Sequence, residues 1–349
     1  MNKERRPIFQ PNEISEDTVV SMRTRILTAV IGIIIVLPAF LLGDWFFYGL
    51  MVAISILSVI EIVRCAKRKY SKVLYITALI LAFLTLTWSI LRDLAGGQIV
   101  QGWRLYDSYS EIYISITIIF VGLCLAAFTV LIDKGFTVVD ACFIFTMVLL
   151  IAIGLQSALF LRYFPSYLYH YPPNADPVVT PYFNLYDNLE SSILILFVVV
   201  GACLNDAFAY FVGIFFGRNK LNERISPKKT WEGFFGGVIL TSMVLAGVAF
   251  LFACVNEGKH AILKGFLDLE HWYNIIVVSF IIPLAAVLGD LVFSSIKRFY
   301  GIKDFSNVLP GHGGVLDRLD SIIFASISVA LYLLIFASIQ NGNGGFRLP

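Results

Sequence analysis

Nine apolar runs divide the chain, each long enough to cross a hydrocarbon core of roughly 30 Å as a helix. They lie near residues 26–43, 45–63, 73–91, 111–131, 137–161, 191–216, 233–254, 272–289 and 319–339. The pattern predicts an all-α, polytopic integral membrane protein. Polar residues gather in a few places: a tail of mixed charge from Met1 to Ser21, two stretches at 217–232 and 290–318, and two longer connections at 92–110 and 162–190. Four regions follow: an N-terminal tail (1–21), an N-terminal multi-span region (22–190), a C-terminal multi-span region that holds both polar stretches (191–340), and a C-terminal tail (341–349).

Composition supports this class and charge orients it. With 58% hydrophobic and 14% charged residues among 349, the chain is too apolar for a soluble domain of its size. If the N-terminus lies in the cytosol, 20 lysines and arginines fall on the cytosolic side. The other side receives six, Arg92, Arg104, Arg162, Lys259, Lys264 and Arg347. That asymmetry predicts the N-terminus inside and the C-terminus outside. It also puts both polar stretches on the cytosolic side. The first run has basic flanks, Arg23 and Arg25, but no small-residue cleavage site, so it is expected to be retained as an anchor. The connection 162–190 holds five prolines and six tyrosines and reads as an interfacial cap. His170, His260 and His271 are scattered on that outer side without ligand spacing. Cys65, Cys124, Cys142, Cys203 and Cys254 form no CxxC pair and are expected to pack as small apolar residues. Membrane lipid is an expected partner and nucleic acid is not; a homodimer is left open.

Candidate chemistry concentrates in Gly289–Asp320. This stretch carries Asp290, Asp304, Asp317 and Asp320 together with Lys297, Arg298, Lys303 and Arg318. On a helix continuing past the eighth run, Asp290, Ser294 and Lys297 share one face. Asp317 and Asp320 stand three apart, an unfavourable pair unless a cation lies between them. Oxygen-only ligands point to Mg²⁺ or a similar hard ion. Pro310-Gly311-His312-Gly313-Gly314 must turn, and its glycines would let backbone N–H groups approach an anion. Acids for a metal beside bases for phosphates suggest phosphoryl or nucleotidyl transfer.

Three further places join this picture. Asp206 lies ten residues before the end of the sixth run, roughly 15 Å deep by the helical rise, where a carboxylate needs a partner or a wet cavity. Asp206, Tyr210, Gly213 and Gly217 form one stripe, whose small residues serve either a ligand or close helix packing. Ser226-Pro227-Lys228-Lys229-Thr230-Trp231-Glu232-Gly233 puts lysines and hydroxyls ahead of a helix, which suits a polyphosphate. Glu61 and Asp140 also intrude on apolar runs near the cytosolic end. For Glu61 a structural role beside Arg64 and Lys67-Arg68-Lys69 is expected.

Ser294-Ser295-Ile296-Lys297-Arg298, then Lys303-Asp304, then His312-Gly313-Gly314-Val315-Leu316-Asp317-Arg318-Leu319-Asp320 resembles the signature of the phosphatidate cytidylyltransferases, or CDP-diacylglycerol synthases. The match spans 27 residues with every spacing kept. Ser-Pro-x-Lys-Thr-x-Glu-Gly at 226–233 and the segment Asp206–Gly213 are similar to two other segments of that family. The resemblance is close over about residues 200–325. The first half fits only as a multi-span region beginning at Met22-Arg23-Thr24-Arg25. The resemblance implies Mg²⁺-dependent transfer of CMP from CTP to phosphatidate, giving CDP-diacylglycerol and pyrophosphate; with the charge asymmetry it places the protein in a cell membrane with its active site facing the cytosol. It would assign Asp290, Asp317 and Asp320 to the metal, with Asp206 at that site or at a second cation. Lys297, Arg298 and Arg318 would hold phosphates, Lys228 and Lys229 the CTP triphosphate, with Ser226 and Thr230 adding hydrogen bonds. His312 would donate to a phosphate or protonate pyrophosphate, or else steady the turn. Spans six to nine are expected to wall the cavity. Transport, CTP-dependent lipid phosphorylation and cytidylyl transfer to another lipid phosphate are rival readings.

Overall fold

In the computed structural model, residues 16–66, 70–95, 108–132, 136–170, 185–255 and 262–342 are described. Nine helices account for most of them: α1 (Glu16–Leu42), α2 (Asp44–Cys65), α3 (Lys72–Ala95), α4 (Ser108–Ile132), α5 (Val138–His170), α6 (Leu185–Phe216), α7 (Trp231–Cys254), α8 (Trp272–Phe299) and α9 (Leu316–Gly342). Each matches one predicted run. Several extend beyond it, because backbone hydrogen bonding continues after hydropathy falls. α8 reaches Phe299, so Asp290, Ser294 and Lys297 are helical as expected.

Six helices hold a stretch long and apolar enough to cross a membrane: α2, α5, α6, α7, α8 and α9. α1, α3 and α4 hold shorter apolar stretches among the described residues, Val30–Leu42, Lys72–Thr87 and Phe120–Ile132. Residues 1–15 of the expected tail, the Lys67-Arg68-Lys69 cluster, His260 and, of the two long outer connections, 96–107 and 171–184 lie outside the described residues, as does the side chain of His170; the rest of the tail, from Glu16, is the first part of α1.

One short element departs from an all-α chain. β1 (Lys220–Asn222) and β2 (Ser226–Thr230) form an antiparallel hairpin, with Lys220 opposite Thr230 and Asn222 opposite Ser226. Asn222 makes this turn locally: its side-chain oxygen accepts from the Arg224 and Ile225 N–H groups. The segment expected at the start of a helix is therefore a strand that ends on one. Thr230 closes it as the N-cap of α7, its hydroxyl oxygen accepting from Gly233 N–H at 3.1 Å. Glu232 accepts from the Arg218 and Asn219 N–H groups, which ties the end of α6 to the start of α7.

The two halves of the chain share one core. A single buried cluster joins Phe40, Phe47 and Ile62 to Leu155, Leu194, Leu245, Ile282, Phe293 and Leu333. A second, smaller one lies among α2, α3 and α5. α6 packs most extensively on α7, and α8 on α9. Glycine makes the first of these pairs close. A Cβ on Gly237 would fall 2.8 Å from Ala209 Cβ and 3.1 Å from its backbone, and one on Gly236 would meet Val212 at 2.5 Å. Gly213 and Gly217 face Thr230 in the same seam. The small-residue stripe thus serves helix packing. Of the cysteines, Cys65 is buried, whereas Cys124, Cys142, Cys203 and Cys254 lie on outward faces rather than inside the packing. Asp140 caps α5 with Thr137, whose N–H and hydroxyl both donate to it.

Gly237→Ala should lower stability by about 1–3 kcal/mol, since its new methyl meets backbone that cannot yield. Gly247→Ala, with nothing within 4 Å of the added Cβ, should be neutral or mildly stabilising. Thermal unfolding of both in detergent micelles checks this; equal behaviour of the two would contradict the packing argument.

Candidate active site

The two polar stretches meet at one end of the bundle. Lys229, on β2, forms an ion pair with Asp290 on α8. Arg298, near the end of α8, donates from Nε to the Ile225 carbonyl at 3.2 Å and from Nη1 to the Ile302 carbonyl at 3.2 Å. The hairpin is thereby fastened to α8 at two points. Strand alternation separates the lysines expected to act together: Lys229 turns towards Asp290 and Lys228 is exposed. Ser226 is half-buried on the same strand. Thr230 is 7% exposed and its oxygen is already engaged as a cap.

A carboxylate cluster lies behind the hairpin. Asp290 Oδ1 accepts from Ser294 Oγ at 3.0 Å, one helical turn on. Ser321, on α9, stands between Asp206 of α6 and Asp320: its Oγ is 3.5 Å from Asp206 Oδ2 and 3.3 Å from Asp320 Oδ1. Asp206, Asp290 and Asp320 act on one another electrostatically, with Lys229, Lys297 and Arg318 also within reach of the group. Close approach of α8 and α9 makes this possible. A Cβ on Gly289 would fall 2.3 Å from the Asp320 carbonyl oxygen. Ser321 has no motif signal in the sequence beyond its place beside Asp320.

Asp317 is differently placed. Its Oδ1 receives the Lys297 ammonium at 2.8 Å, and its Oδ2 receives the N–H groups of Phe305 at 2.8 Å and Gly314 at 2.9 Å. Lys297 also lies 3.9 Å from Asp320 Oδ2 and is itself only 8% exposed. The cation demanded by two acids three residues apart is thus a lysine of α8. Asp317 acts here as a clamp on the loop, and Lys297 as its counter-ion.

The Pro310–Gly314 turn is also internally committed. Gly311 and Gly313 adopt positive φ, 76° and 84°. His312 N–H donates to the Leu309 carbonyl, and Leu309 N–H to Gly313. The His312 carbonyl takes both Nε and Nη2 of Arg318, at 2.9 and 2.6 Å. His312 Nδ1 is buried without a hydrogen-bond partner among the described residues. Of the turn's glycines, Gly314 already donates its N–H to the protein's own Asp317, and beyond the turn the Val315 and Leu316 N–H groups meet Glu61 of α2. Glu61 is therefore structural, as expected, but its partner is the start of α9. The first half of the chain also reaches the turn through α1, where Thr28 Oγ1 lies 2.8 Å from the carbonyl oxygens of both Pro310 and Thr24.

A hard divalent cation fits the donor set of Asp206, Asp290 and Asp320, all oxygens of mutually repelling carboxylates. Among the described residues no three acids, histidines or cysteines are already gathered at ligand spacing.

Residues 23–336 match the cytidylyltransferase family. The chain is 30% identical to a phosphatidate cytidylyltransferase of Staphylococcus epidermidis over 304 residues, 87% of this chain and 95% of that one. It is 29% identical to the protein of that name from Bacillus subtilis over 318 residues, 91% of this chain and 100% of the other. With one from Haemophilus influenzae it shares 39% identity over 140 residues, 40% and 45% of the two chains.

Lys297→Met should cost about 3–5 kcal/mol, because it leaves Asp317 buried without its cation. The double variant Lys297→Met with Asp317→Asn should lose less than the single one. Thermal unfolding in detergent compares them, and a larger loss in the double variant would mean that the pair is not the stabilising unit.

Proposed function

The chain belongs to the cytidylyltransferase family, and from that premise we propose that it transfers the CMP moiety of CTP to phosphatidate, releasing pyrophosphate and forming CDP-diacylglycerol for phospholipid synthesis. The carrying observation is the cluster of Asp206, Asp290 and Asp320 with Lys229 and Lys297, at the end of the bundle where the two polar stretches meet. A phosphatidate oxygen attacks the α-phosphorus of CTP, and the bond to the pyrophosphate oxygen breaks. The nucleophile is already anionic near neutral pH, so no strong general base is needed. The protein's task is to hold two anions in line and offset the charge that grows between them.

The residues divide this work. Asp290 and Asp320 would hold Mg²⁺, with Asp206 at that site or at a second cation, and the bound ion would supply charge neutralisation on the phosphates. Lys229 reaches the triphosphate from β2, while Ser226 and Lys228 lie on the other face of the strand. Arg298 and Arg318, both exposed, hold the hairpin and the glycine turn by their carbonyls and turn their remaining N–H groups to phosphate. The backbone of His312 steadies the turn, which leaves its imidazole for a phosphate oxygen.

Membrane placement completes the reading. All nine helices cross a bacterial cell membrane, with the N-terminus and the polar cluster on the cytosolic side, where CTP is found. Phosphatidate approaches laterally. Tyr210, Phe211, Ile214 and Phe215 of α6 are outward-facing and apolar, next along the helix to Asp206, and leave its acyl chains in lipid.

Two experiments test this. Purified protein is given phosphatidate, Mg²⁺ and CTP labelled at the α- or the γ-phosphate. The α-label should enter the lipid and the γ-label should leave as pyrophosphate; γ-label in the lipid would make the enzyme a kinase instead. In the same assay Asp290→Asn should abolish turnover in a folded protein. Lys229→Ala should raise the KM for CTP by about tenfold or more, whereas Lys228→Ala should change it by no more than about threefold. Equal effects of the two lysines would contradict the assignment to opposite faces of β2.

A further inference from the structure

Glu61 lies on α2, 254 residues before its first backbone partner on the catalytic loop. Its Oε1 accepts from the Ser306 hydroxyl at 2.6 Å and from Val315 N–H at 2.9 Å, and its Oε2 accepts from Leu316 N–H at 2.8 Å. The side chain is 2% exposed. All three donors belong to the segment between Asp290 and Asp320, and two of them open α9. The approach is tight: a Cβ on Gly314 would fall 2.8 Å from both carboxylate oxygens. Only glycine lets the loop settle this closely over the acid.

The neighbouring N–H continues the pattern. Gly314 N–H donates to Asp317, which also holds Phe305 N–H and the Lys297 ammonium. Two carboxylates therefore take three successive N–H groups, 314 to 316, at the point where the loop becomes α9. Asp317 belongs to α9 itself, so it can shape the turn without fixing it in space. Glu61 belongs to another helix and supplies the external reference. Bonds from N–H and O–H groups to a buried carboxylate are charge-assisted and short, so the attachment is stiff.

We propose that Glu61 is a positioning residue for the reaction: it sets the depth and rotation of the start of α9, and through them the placement of Asp320 against Asp290 and of Asp317 against Lys297. The first half of the chain then contributes to catalysis by anchoring the half that carries Asp290 and Asp320. The catalytic readout rests on the reaction proposed above, whereas the anchor itself does not.

Glu61→Gln preserves size but turns amide hydrogens towards N–H donors. Hydrogen exchange by mass spectrometry should show the 314–316 amides exchanging at least about tenfold faster, with mid-α8 unchanged. Specific activity per folded protein should fall by about 10- to 100-fold in kcat, with the half-activating Mg²⁺ concentration raised severalfold. The KM for CTP should stay within about threefold, since the substrate contacts are intact. Unchanged exchange would overturn the anchor; faster exchange with wild-type kcat and Mg²⁺ dependence would overturn the positioning role. A wild-type protein that forms no CDP-lipid would sink the proposed reaction, and the exchange experiment would still decide the anchor. Should Glu61→Gln fail to fold, Gly314→Ala displaces the same contact from the loop side and is read in the same way.

Discussion

Charge near the edge of a hydrocarbon core is costly unless a partner meets it, and that constraint organises the functional end of this bundle. Lys297 is placed against Asp317 and near Asp320, Lys229 against Asp290, and Glu61 against a hydroxyl and two N–H groups. Each pairing joins segments distant in sequence. The cost of leaving any of these groups alone is what holds the hairpin, the glycine turn and the starts of two helices in one place.

The same pairing leaves a deliberate imbalance. Asp317 and Glu61 are held mainly by backbone N–H groups of the loop and the start of α9, whereas Asp206, Asp290 and Asp320 stand close enough to repel one another and meet only side chains and the Ser321 N–H. The reaction proposed for this site, which unites two polyanions, would benefit from such a division, with some acids spent on rigidity and others kept for cations. Helix packing supports it. Glycines in the α6 and α7 seam, and Gly289 against α9, bring backbones close enough for side chains from three helices to meet.

Much of the site was legible as a set of residue types. The spacing of Asp290, Ser294 and Lys297 announced a shared helix face, and the proximity of Asp317 to Asp320 announced a missing cation. That cation is Lys297, twenty residues away from Asp317, a distance that no local spacing rule spans. The glycine turn was read as an anion cradle, and the N–H groups from Gly314 into the start of α9 do meet anions. Those anions are Asp317 and Glu61, and a carboxylate on α2 cannot be assigned to a helix start 254 residues later from sequence alone. Lys228 and Lys229 read as a pair because they are adjacent; a strand turns adjacent residues to opposite faces.

Hydropathy by itself determined the nine helices and their order, because burying unpaired backbone in lipid is prohibitive and a long apolar run has no other solution. Residue types and spacing also marked the segments that carry the chemistry. Which acid faces which base was decided by tertiary structure alone. Pairing depends on how helices from both halves stack, and that packing is set by shape across the whole core rather than by any neighbouring residue.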